Sequence, residues 1–195
     1  MSADVVSRWR KDMVIGMTIF YFVRHGEPDY SSVGEWAEIP FGRAFAGLTE
    51  QGIGQISRAA AELKVHRPQI ILSSPYTRTM QGAGIMAREL QIPIFVERDL
   101  HEWEVDRTHT VKEESELLRL CQDYDFHNGI YPEGAEKPWE SRQVVRDRVL
   151  GVLEKYLAYD RVVVSGHAIM MQDVSGEYKP FAYGEILQKT WEEIR

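Results

Sequence analysis

Three short, continuous apolar runs constrain the fold of this chain more than any other feature of its sequence. They are Ile19 to Val23, Ile70 to Leu72 and Val162 to Val164. Because apolar residues occupy consecutive positions, each run predicts a strand that is covered on both faces, as in a largely parallel sheet. Ile94 to Val96, which follows a proline, predicts a further short strand. The chain therefore favours a sheet buried between layers.

Amphipathic helices are predicted between these runs. Thr49 suits the N-cap of one helix, and Ser74 with Pro75 supplies an N-cap and a proline at the first position of a second. A third helix is predicted between Trp139 and Tyr159, and a fourth over Lys112 to Cys121. The apolar positions of the first three are Ile53, Ile56, Ala60 and Leu63; Met80, Ala83, Ala87 and Leu90; and Val145, Val149, Val152 and Tyr156. Alternating strands and helices indicate an α/β layer fold.

The length of the chain favours one domain. With 195 residues, and at roughly 100 to 200 residues per domain, residues 16–195 are predicted to form it, and residues 1–15 to form an N-terminal tail outside the sheet. Glu27 to Gly47 is predicted to be a long aromatic loop. The apolar stretch Met13 to Val23 follows basic residues, as in a signal peptide, but it lacks a small-residue cleavage site and suits a strand better.

The composition excludes several classes of function. A hydrophobic content of 44% with 27% charged residues is ordinary for a globular protein and excludes general disorder. The net charge of −7 leaves no global basic field for nucleic acid or an anionic membrane, so we expect neither as a partner. The lone cysteine, Cys121, cannot pair within the chain, which fits a reducing compartment and predicts a cytoplasmic protein. His101 and His109 have no third partner at ligand spacing, so no metal site is predicted.

Polar and charged residues follow each of the three apolar runs. The segments are Arg24 to Glu27, Ser73 to Arg78 and Ser165 to His167. In an open parallel sheet, ligands bind outside the carboxyl ends of the strands, where these segments would meet. Two histidines, His25 and His167, and two arginines are therefore predicted along one edge.

This set of residues suits phosphate chemistry. The guanidinium groups of Arg24 and Arg78 match phosphoryl oxygens in charge and geometry, and an imidazole can attack phosphorus or donate to its oxygens. Arg78 would also lie near the N-terminus of a helix, whose dipole favours an anion. Taken singly, such a histidine is often a solvated loop residue and such an arginine is mostly exposed. Their convergence at one edge is what indicates a site.

With these motifs the chain resembles the histidine phosphatase superfamily, also called phosphoglycerate mutase-like, over roughly residues 17 to 175. The residues that carry the resemblance are Arg24-His25-Gly26-Glu27, Leu48-Thr49 with Gly52, Ser74-Pro75 with Arg78 and Gln81, Leu100 with Glu102, and Ser165-Gly166-His167. The resemblance implies a three-layer α/β/α sandwich with a mostly parallel central sheet. It also implies phosphoryl transfer that needs neither a metal nor a cofactor.

The resemblance further implies a role for each site residue. His25 would be the nucleophile and become phosphohistidine. Arg24, Arg78 and His167 would hold the phosphoryl oxygens. Glu102 would protonate the leaving alkoxide and then take a proton from the water that attacks phosphohistidine.

The chain departs from the family pattern in several places. Many relatives have a glycine-rich turn after the acidic residue, whereas here Glu102 is followed by Trp103-Glu104-Val105-Asp106, so Glu104 is a second candidate for the proton donor. Gly82 stands where a threonine is usual, and Pro28-Asp29 replaces a commoner polar pair. These departures bear on the fine substrate specificity and not on the phosphoryl transfer step.

The aromatic loop offers further candidates for substrate contact. Trp36, Phe41, Arg43 and Phe45 could cap a substrate, or they could pack the loop against the body of the protein. Arg43 is the candidate substrate-binding residue among them.

Three functional hypotheses follow. The first is a metal-independent phosphatase that hydrolyses a small phosphomonoester through phosphohistidine. The second is a mutase-type phosphotransferase, although the stretch from Glu102 to Trp139 is short for the insertion that such relatives usually carry. The third is a phospho-ligand binding or regulatory module that keeps the arginines without turnover. The sequence contains no pattern that indicates the natural substrate or the oligomeric state.

Overall fold

The computed structural model of the protein describes residues 17–38, 40–111 and 113–195, without the side chains of residues 36–41. The predicted tail, residues 1–15, and the candidate substrate caps Trp36 and Phe41 lie outside this description. No helix in the described ranges is both long and apolar enough to cross a membrane.

A five-stranded sheet forms the centre of the described part of the chain. In chain order the strands are β1 (Ile19–Arg24), β2 (Pro28–Asp29), β3 (Gly47–Leu48), β4 (Ile70–Ser73), β5 (Ile94–Val96), β6 (Arg161–Gly166) and β7 (Ile186–Thr190). The sheet order is β5-β4-β6-β1-β7. Its pairs are parallel except for β7, which runs antiparallel to β1, and the two-residue strands β2 and β3 pair separately. The predicted mostly parallel sheet is confirmed.

Helices connect and cover these strands. They are α1 (Pro40–Arg43), α2 (Glu50–Leu63), α3 (Thr77–Leu90), α4 (Glu114–Phe126), α5 (Arg142–Leu153), α6 (Ala168–Ser175) and α7 (Trp191–Ile194). Short 3-10 turns occupy Tyr30–Glu38, Lys64–His66, Arg98–Leu100 and Glu154–Tyr156.

The side chains of β1 divide the core into two layers. Phe20 and Phe22 pack with residues of α5, α6 and α7 on one face. Tyr21 and Val23 pack with residues of α2 and α3 on the other face. All four side chains are buried because helices cover both faces, which is why the apolar runs of the sequence are continuous rather than alternating. The three-layer α/β/α arrangement is the predicted one.

The capping prediction is right for one helix, α2, and wrong for another, α3. The Thr49 side chain accepts the Gly52 N–H and caps α2, and Ser141 caps α5. Ser74 and Pro75 do not begin α3, which starts at Thr77 after Tyr76 as the N-cap. The physical reason is that the Ser74 hydroxyl bonds a histidine of another segment, His167, instead of a helical N–H.

The apolar faces of two helices are also shifted from the prediction. In α2, Ile53 is 39% exposed and the buried face includes Ala59 instead. In α3, Met80 is only half-buried, whereas Met86 is buried with Ala83. Helix α4 runs on to Phe126, beyond the predicted end at Cys121.

Two regions contain structure that periodicity did not reveal. The predicted aromatic loop from Glu27 to Gly47 holds the strand pair β2–β3, a 3-10 turn and α1. Strand β7 was not predicted. Its residues Ile186–Thr190 carry no continuous apolar run because this edge strand is only partly covered.

Candidate active site

Three neighbouring strands end at one edge of the sheet and carry the candidate residues there. Arg24, the last residue of β1, pairs with Gly166, the last residue of β6. The His25 N–H donates to the Gly166 carbonyl oxygen at 2.9 Å, so His25 and His167 leave the sheet from adjacent positions. The Ser74 N–H donates to the carbonyl oxygen of Ser165 at 3.0 Å and brings the end of β4 to the same edge.

The segment after His25 is held in place by two glycines that touch backbone to backbone. A Cβ on Gly26 would lie 2.3 Å from the Gly52 carbonyl oxygen, and a Cβ on Gly52 would lie 2.4 Å from that of Glu27. Only hydrogen fits at such distances. The Thr49 hydroxyl also donates to the Glu27 carboxylate at 2.6 Å. The start of α2 therefore fixes the chain that positions His25.

His25 is buried and its ring orientation is set by its own neighbour. Nδ1 lies 2.7 Å from the Gly26 carbonyl oxygen. Because a carbonyl only accepts, Nδ1 carries the hydrogen and Nε2 keeps its lone pair. Burial, followed by the positive charge of Arg78, lowers the pKa of His25 to about 3, and the charge of Arg24 contributes in the same direction. The ring is therefore neutral and nucleophilic at Nε2 at neutral pH.

His167 is fully buried and contacts both Ser74 and Arg78. Its Nε2 lies 2.7 Å from the Ser74 hydroxyl oxygen, and its Nδ1 lies 3.4 Å from Nη2 of Arg78. Because a guanidinium only donates, Nδ1 is the acceptor in this state. Burial and then the charge of Arg78 lower the pKa of His167 well below its usual value. The two imidazole rings stand edge to face with centroids 5.3 Å apart.

Arg78 is buried at the start of α3 and keeps one donor unused. Its Nη1 donates to the Arg43 carbonyl oxygen at 3.0 Å. Its Nε is buried and has no acceptor among the described residues. A buried unpaired donor is unfavourable by about 1–3 kcal/mol, and an anionic oxygen placed beside it would remove that cost.

Arg24 precedes His25 and is stacked on an aromatic ring. Its guanidinium carbon is 4.1 Å from the centroid of the Tyr183 ring, and Nη1 donates to the carbonyl oxygen of Phe181. The Tyr183 ring also lies 5.6 Å from that of His25. Nε of Arg24 is buried without an acceptor in the described part of the chain, so both arginines keep an unpaired donor near the histidines.

Glu102 is bound to the N-terminus of α6, the helix that follows His167. Oε1 accepts the N–H groups of Trp103 at 3.0 Å and Met170 at 3.1 Å, and Oε2 accepts that of Ile169 at 3.4 Å. The first-turn N–H groups of a helix have no intrahelical partners and favour an acidic group. This contact ties Glu102 to the segment that carries His167.

A cavity of about 310 Å³ adjoins Arg78 and Glu102. Arg43 and Glu104 also line it, whereas His25, Arg24 and His167 do not. The predicted site residues are thus distributed over two regions that share Arg78. His25, His167, Arg78 and Arg24 surround the strand ends, and Arg43, Glu102 and Glu104 line the adjoining cavity with Arg78.

Sequence reasoning missed Tyr183, Tyr76 and the role of Ser74. Tyr183 comes from the segment between α6 and β7, and its only local signal is the turn at Gly184, where φ is 75°. The Tyr76 ring lies 5.0 Å from that of His167. Among the residues that the structure describes, no group of three or more His, Cys, Asp or Glu side chains is arranged to hold a metal ion.

The fold and these motifs define a class of protein. A profile of the histidine phosphatase superfamily (branch 1) matches residues 20–176. The chain belongs to this superfamily, and the resemblance inferred from its motifs is confirmed. Comparison with curated proteins finds no significant match.

Solved structures share the fold at low sequence identity. YhfR of Bacillus stearothermophilus is 20% identical with a TM-score of 0.67, and the alignment covers 88% of this chain and 90% of that one. A mycobacterial glucosyl-3-phosphoglycerate phosphatase in complex with VO3 is 17% identical with a TM-score of 0.66, over 88% and 90% of the two chains. A phosphoglycerate mutase of Bacillus anthracis is 14% identical with a TM-score of 0.63, over 92% and 90%. A phosphatase and a mutase therefore share this phosphoglycerate mutase-like fold.

Proposed function

We propose that this protein is a metal-independent phosphatase that hydrolyses a small phosphomonoester through a phosphohistidine at His25. The observation that carries the proposal is the state of the His25 ring. Nδ1–H is engaged with the Gly26 carbonyl oxygen, and Nε2 holds a lone pair at a site where Arg24 and Arg78 each keep a buried, unpaired Nε–H. A nucleophile beside unpaired guanidinium donors is the arrangement that phosphoryl transfer requires.

In the first step, the Nε2 lone pair of His25 attacks phosphorus in line with the ester oxygen. The N–P bond forms as the P–O bond to the alcohol breaks, and the leaving oxygen takes a proton from a carboxyl group. Arg24 and Arg78 hold equatorial oxygens and offset the charge on them, and His167 does so in the tautomer that carries its hydrogen on Nδ1. The Gly26 carbonyl oxygen stabilises the positive charge that develops on the ring.

In the second step, a water molecule attacks the phosphorus of phosphohistidine. The water proton passes to the carboxylate that was formed in the first step, the N–P bond breaks, and its electron pair returns to Nε2. Glu102 is our candidate for this carboxylate by its match to the family motif. Glu104 is the alternative, because it lines the same cavity.

The test is hydrolysis of a chromogenic aryl phosphate in excess chelator by the parent protein and the His25→Ala variant. Loss of the nucleophile should lower kcat/KM by at least about 10³-fold, and chelator should leave the parent rate unchanged. His66→Ala is the matched control, because His66 packs on Tyr21 in the turn before β4, away from the site. A His25→Ala variant as active as the parent would falsify the proposal.

Trapping the intermediate separates the proposed reaction from its two rivals. Brief incubation with labelled substrate should give acid-labile phosphate on the parent protein and none on His25→Ala. Transfer of that label to added phosphoglycerate, with isomer interconversion, would favour a mutase instead. Phosphate binding with neither label nor turnover would favour a binding module.

A further inference from the structure

We propose that the cavity beside Arg78 selects phosphomonoesters whose leaving group carries an ammonium ion, and that Glu104 recognises that ion. This inference rests on the proposed function and deepens it by naming a substrate class. The juxtaposition that carries it is an unpaired carboxylate on the wall of a cavity that shares Arg78 with the proposed phosphoryl site.

The cavity and the proposed phosphoryl site share Arg78, which lines the cavity and contacts His167. The Arg78 side chain is 5% exposed, lines the cavity and has a buried Nε without an acceptor in the described ranges. A phosphoryl group that satisfies this donor would direct its ester oxygen toward the cavity. The volume of about 310 Å³ is sufficient for a small organic leaving group.

Among the residues that the structure describes, the cavity wall carries more carboxylates than guanidinium groups. The carboxylates belong to Glu102, Glu104, Asp106 and Glu114, and the guanidinium groups to Arg43 and Arg78. The remaining lining includes the aromatic rings of Tyr76 and Trp103 and apolar side chains of α4. Carboxylates beside aromatic faces favour a cation over an anion.

Most of these charged groups already have partners. The Glu102 oxygens accept backbone N–H groups at the start of α6. The Asp106 carboxylate accepts the N–H groups of Thr108, Thr110 and Val111 in its own loop. Glu114 lies 4.0 Å from Nη2 of Arg43. The negative charges of these three carboxylates are therefore largely compensated by groups of the protein itself.

Glu104 is the exception. In the described ranges its carboxylate takes part in no hydrogen bond or ion pair. Its backbone is fixed, because its N–H donates to the Glu140 carboxylate and its carbonyl oxygen accepts the Glu140 N–H. An ammonium ion in the cavity would pair with this carboxylate. A leaving-group carboxylate would instead meet Glu104 as a like charge, with Arg78 committed to the phosphoryl group and Arg43 shared with Glu114. The wall therefore disfavours acidic leaving groups such as glycerate.

The experiment compares three aryl phosphates of similar size and leaving-group basicity. They are tyramine phosphate, which carries an ammonium ion, 4-ethylphenyl phosphate, which is neutral, and the phosphate of 3-(4-hydroxyphenyl)propionate, which carries a carboxylate. We expect kcat/KM to decrease in that order, with at least about tenfold between the first and the last. If the kcat/KM values of the three esters agree within a factor of about two, the inference is overturned and the proposed function still holds.

The variant test uses the ratio of kcat/KM for the ammonium ester to that for the neutral ester. Glu104→Gln should lower this ratio about tenfold, and Glu104→Lys should lower it further. Glu116→Gln, an exposed change on α4 outside the cavity, should leave it unchanged. A Glu104→Gln variant that slows both esters equally would assign Glu104 to proton transfer and overturn the inference.

The outcome stays separable from that of the proposed function. If the parent protein hydrolyses none of the three esters, the proposed phosphatase activity fails. The selectivity is then decided by the Kd values of the three esters measured by calorimetry. A lower Kd for the ammonium ester, lost in Glu104→Gln, would support the inference, and equal Kd values would overturn it.

Discussion

At the scale of single residues, the position of Arg24 depends on the ring of Tyr183. The guanidinium stacks on that ring at 4.1 Å, and the same ring approaches His25 at 5.6 Å. A cation on an aromatic face is stabilised by about 0.5–2 kcal/mol, with the larger value where water is excluded. Tyr183 is therefore a positioning residue for both groups.

The first prediction separates the ring of Tyr183 from its hydroxyl. Tyr183→Leu should lower kcat/KM for an aryl phosphate about tenfold, because Arg24 loses its stacking surface, whereas Tyr183→Phe should stay within about twofold of the parent. The measurements are kcat/KM and the inhibition constant of inorganic phosphate. In the leucine variant kcat/KM should fall and phosphate should inhibit more weakly. Equal losses in the two variants would assign the effect to the hydroxyl instead.

The sequence predicted the residues at the strand ends but not how they are oriented. His25, His167 and Arg78 follow apolar runs, and the carboxyl ends of parallel strands meet at one edge, so their convergence was predictable. The hydrogen bond from His167 to Ser74 links segments far apart in the chain, and Tyr183 arrives from a segment without periodicity. Long-range pairs of this kind leave no local pattern, so sequence reasoning could not find them.

At the scale of secondary-structure elements, glycines in helices α2 and α3 have opposite environments. Gly84 in α3 is exposed, and a Cβ there would meet nothing within 4 Å. Gly52 in α2 is buried, and its Cβ would lie 2.4 Å from the Glu27 carbonyl oxygen. Helix propensity alone favours alanine at both positions by about 1 kcal/mol, so packing decides the difference.

The second prediction follows from that contrast. Gly84→Ala should raise the free energy of unfolding by about 0.5–1 kcal/mol, and Gly52→Ala should lower it by more than about 2 kcal/mol because backbone must move. Urea unfolding of both variants measures the two values, and Gly52→Ala should also lose activity because His25 shifts. A Gly52→Ala variant as stable as the parent would show that the backbones of Gly52 and Glu27 are not in close contact.

The elements that could be predicted are those with strong local signals. Helix α2 has both its cap and its period in the sequence, and β1, β4 and β6 are continuous apolar runs. Helix α3 begins two residues later than predicted, because the serine that would cap it is bonded to His167. Strand β7 was missed, because an edge strand with partly covered residues lacks a buried run.

At the scale of the whole molecule, one buried carboxyl group couples stability to pH. Asp173 on α6 is 2% exposed, and neither carboxyl oxygen has a hydrogen-bond partner in the described part of the chain. Burial raises its pKa to about 7 from the ordinary value of 3.8. The charge of Arg142 opposes this shift, and the charges of Glu102 and Glu140 reinforce it, whereas that of Arg148 opposes it. The folded protein therefore holds a proton here that the unfolded chain releases above about pH 4.

The third prediction is the sign and range of that pH dependence. Because the folded state binds more protons than the unfolded state between the two pKa values, stability falls as pH rises from about 4 to about 7. A pKa raised from 3.8 to about 7 corresponds to a loss of up to roughly 4 kcal/mol over this range. Asp173→Asn cannot ionise, so its free energy of unfolding relative to the parent should rise over the same range, as measured by urea unfolding at a series of pH values. Asp160→Asn, an exposed change before β6, is the control, and its curve of unfolding free energy against pH should run parallel to that of the parent. A parallel curve for Asp173→Asn would contradict the prediction and show that Asp173 is charged in the folded protein.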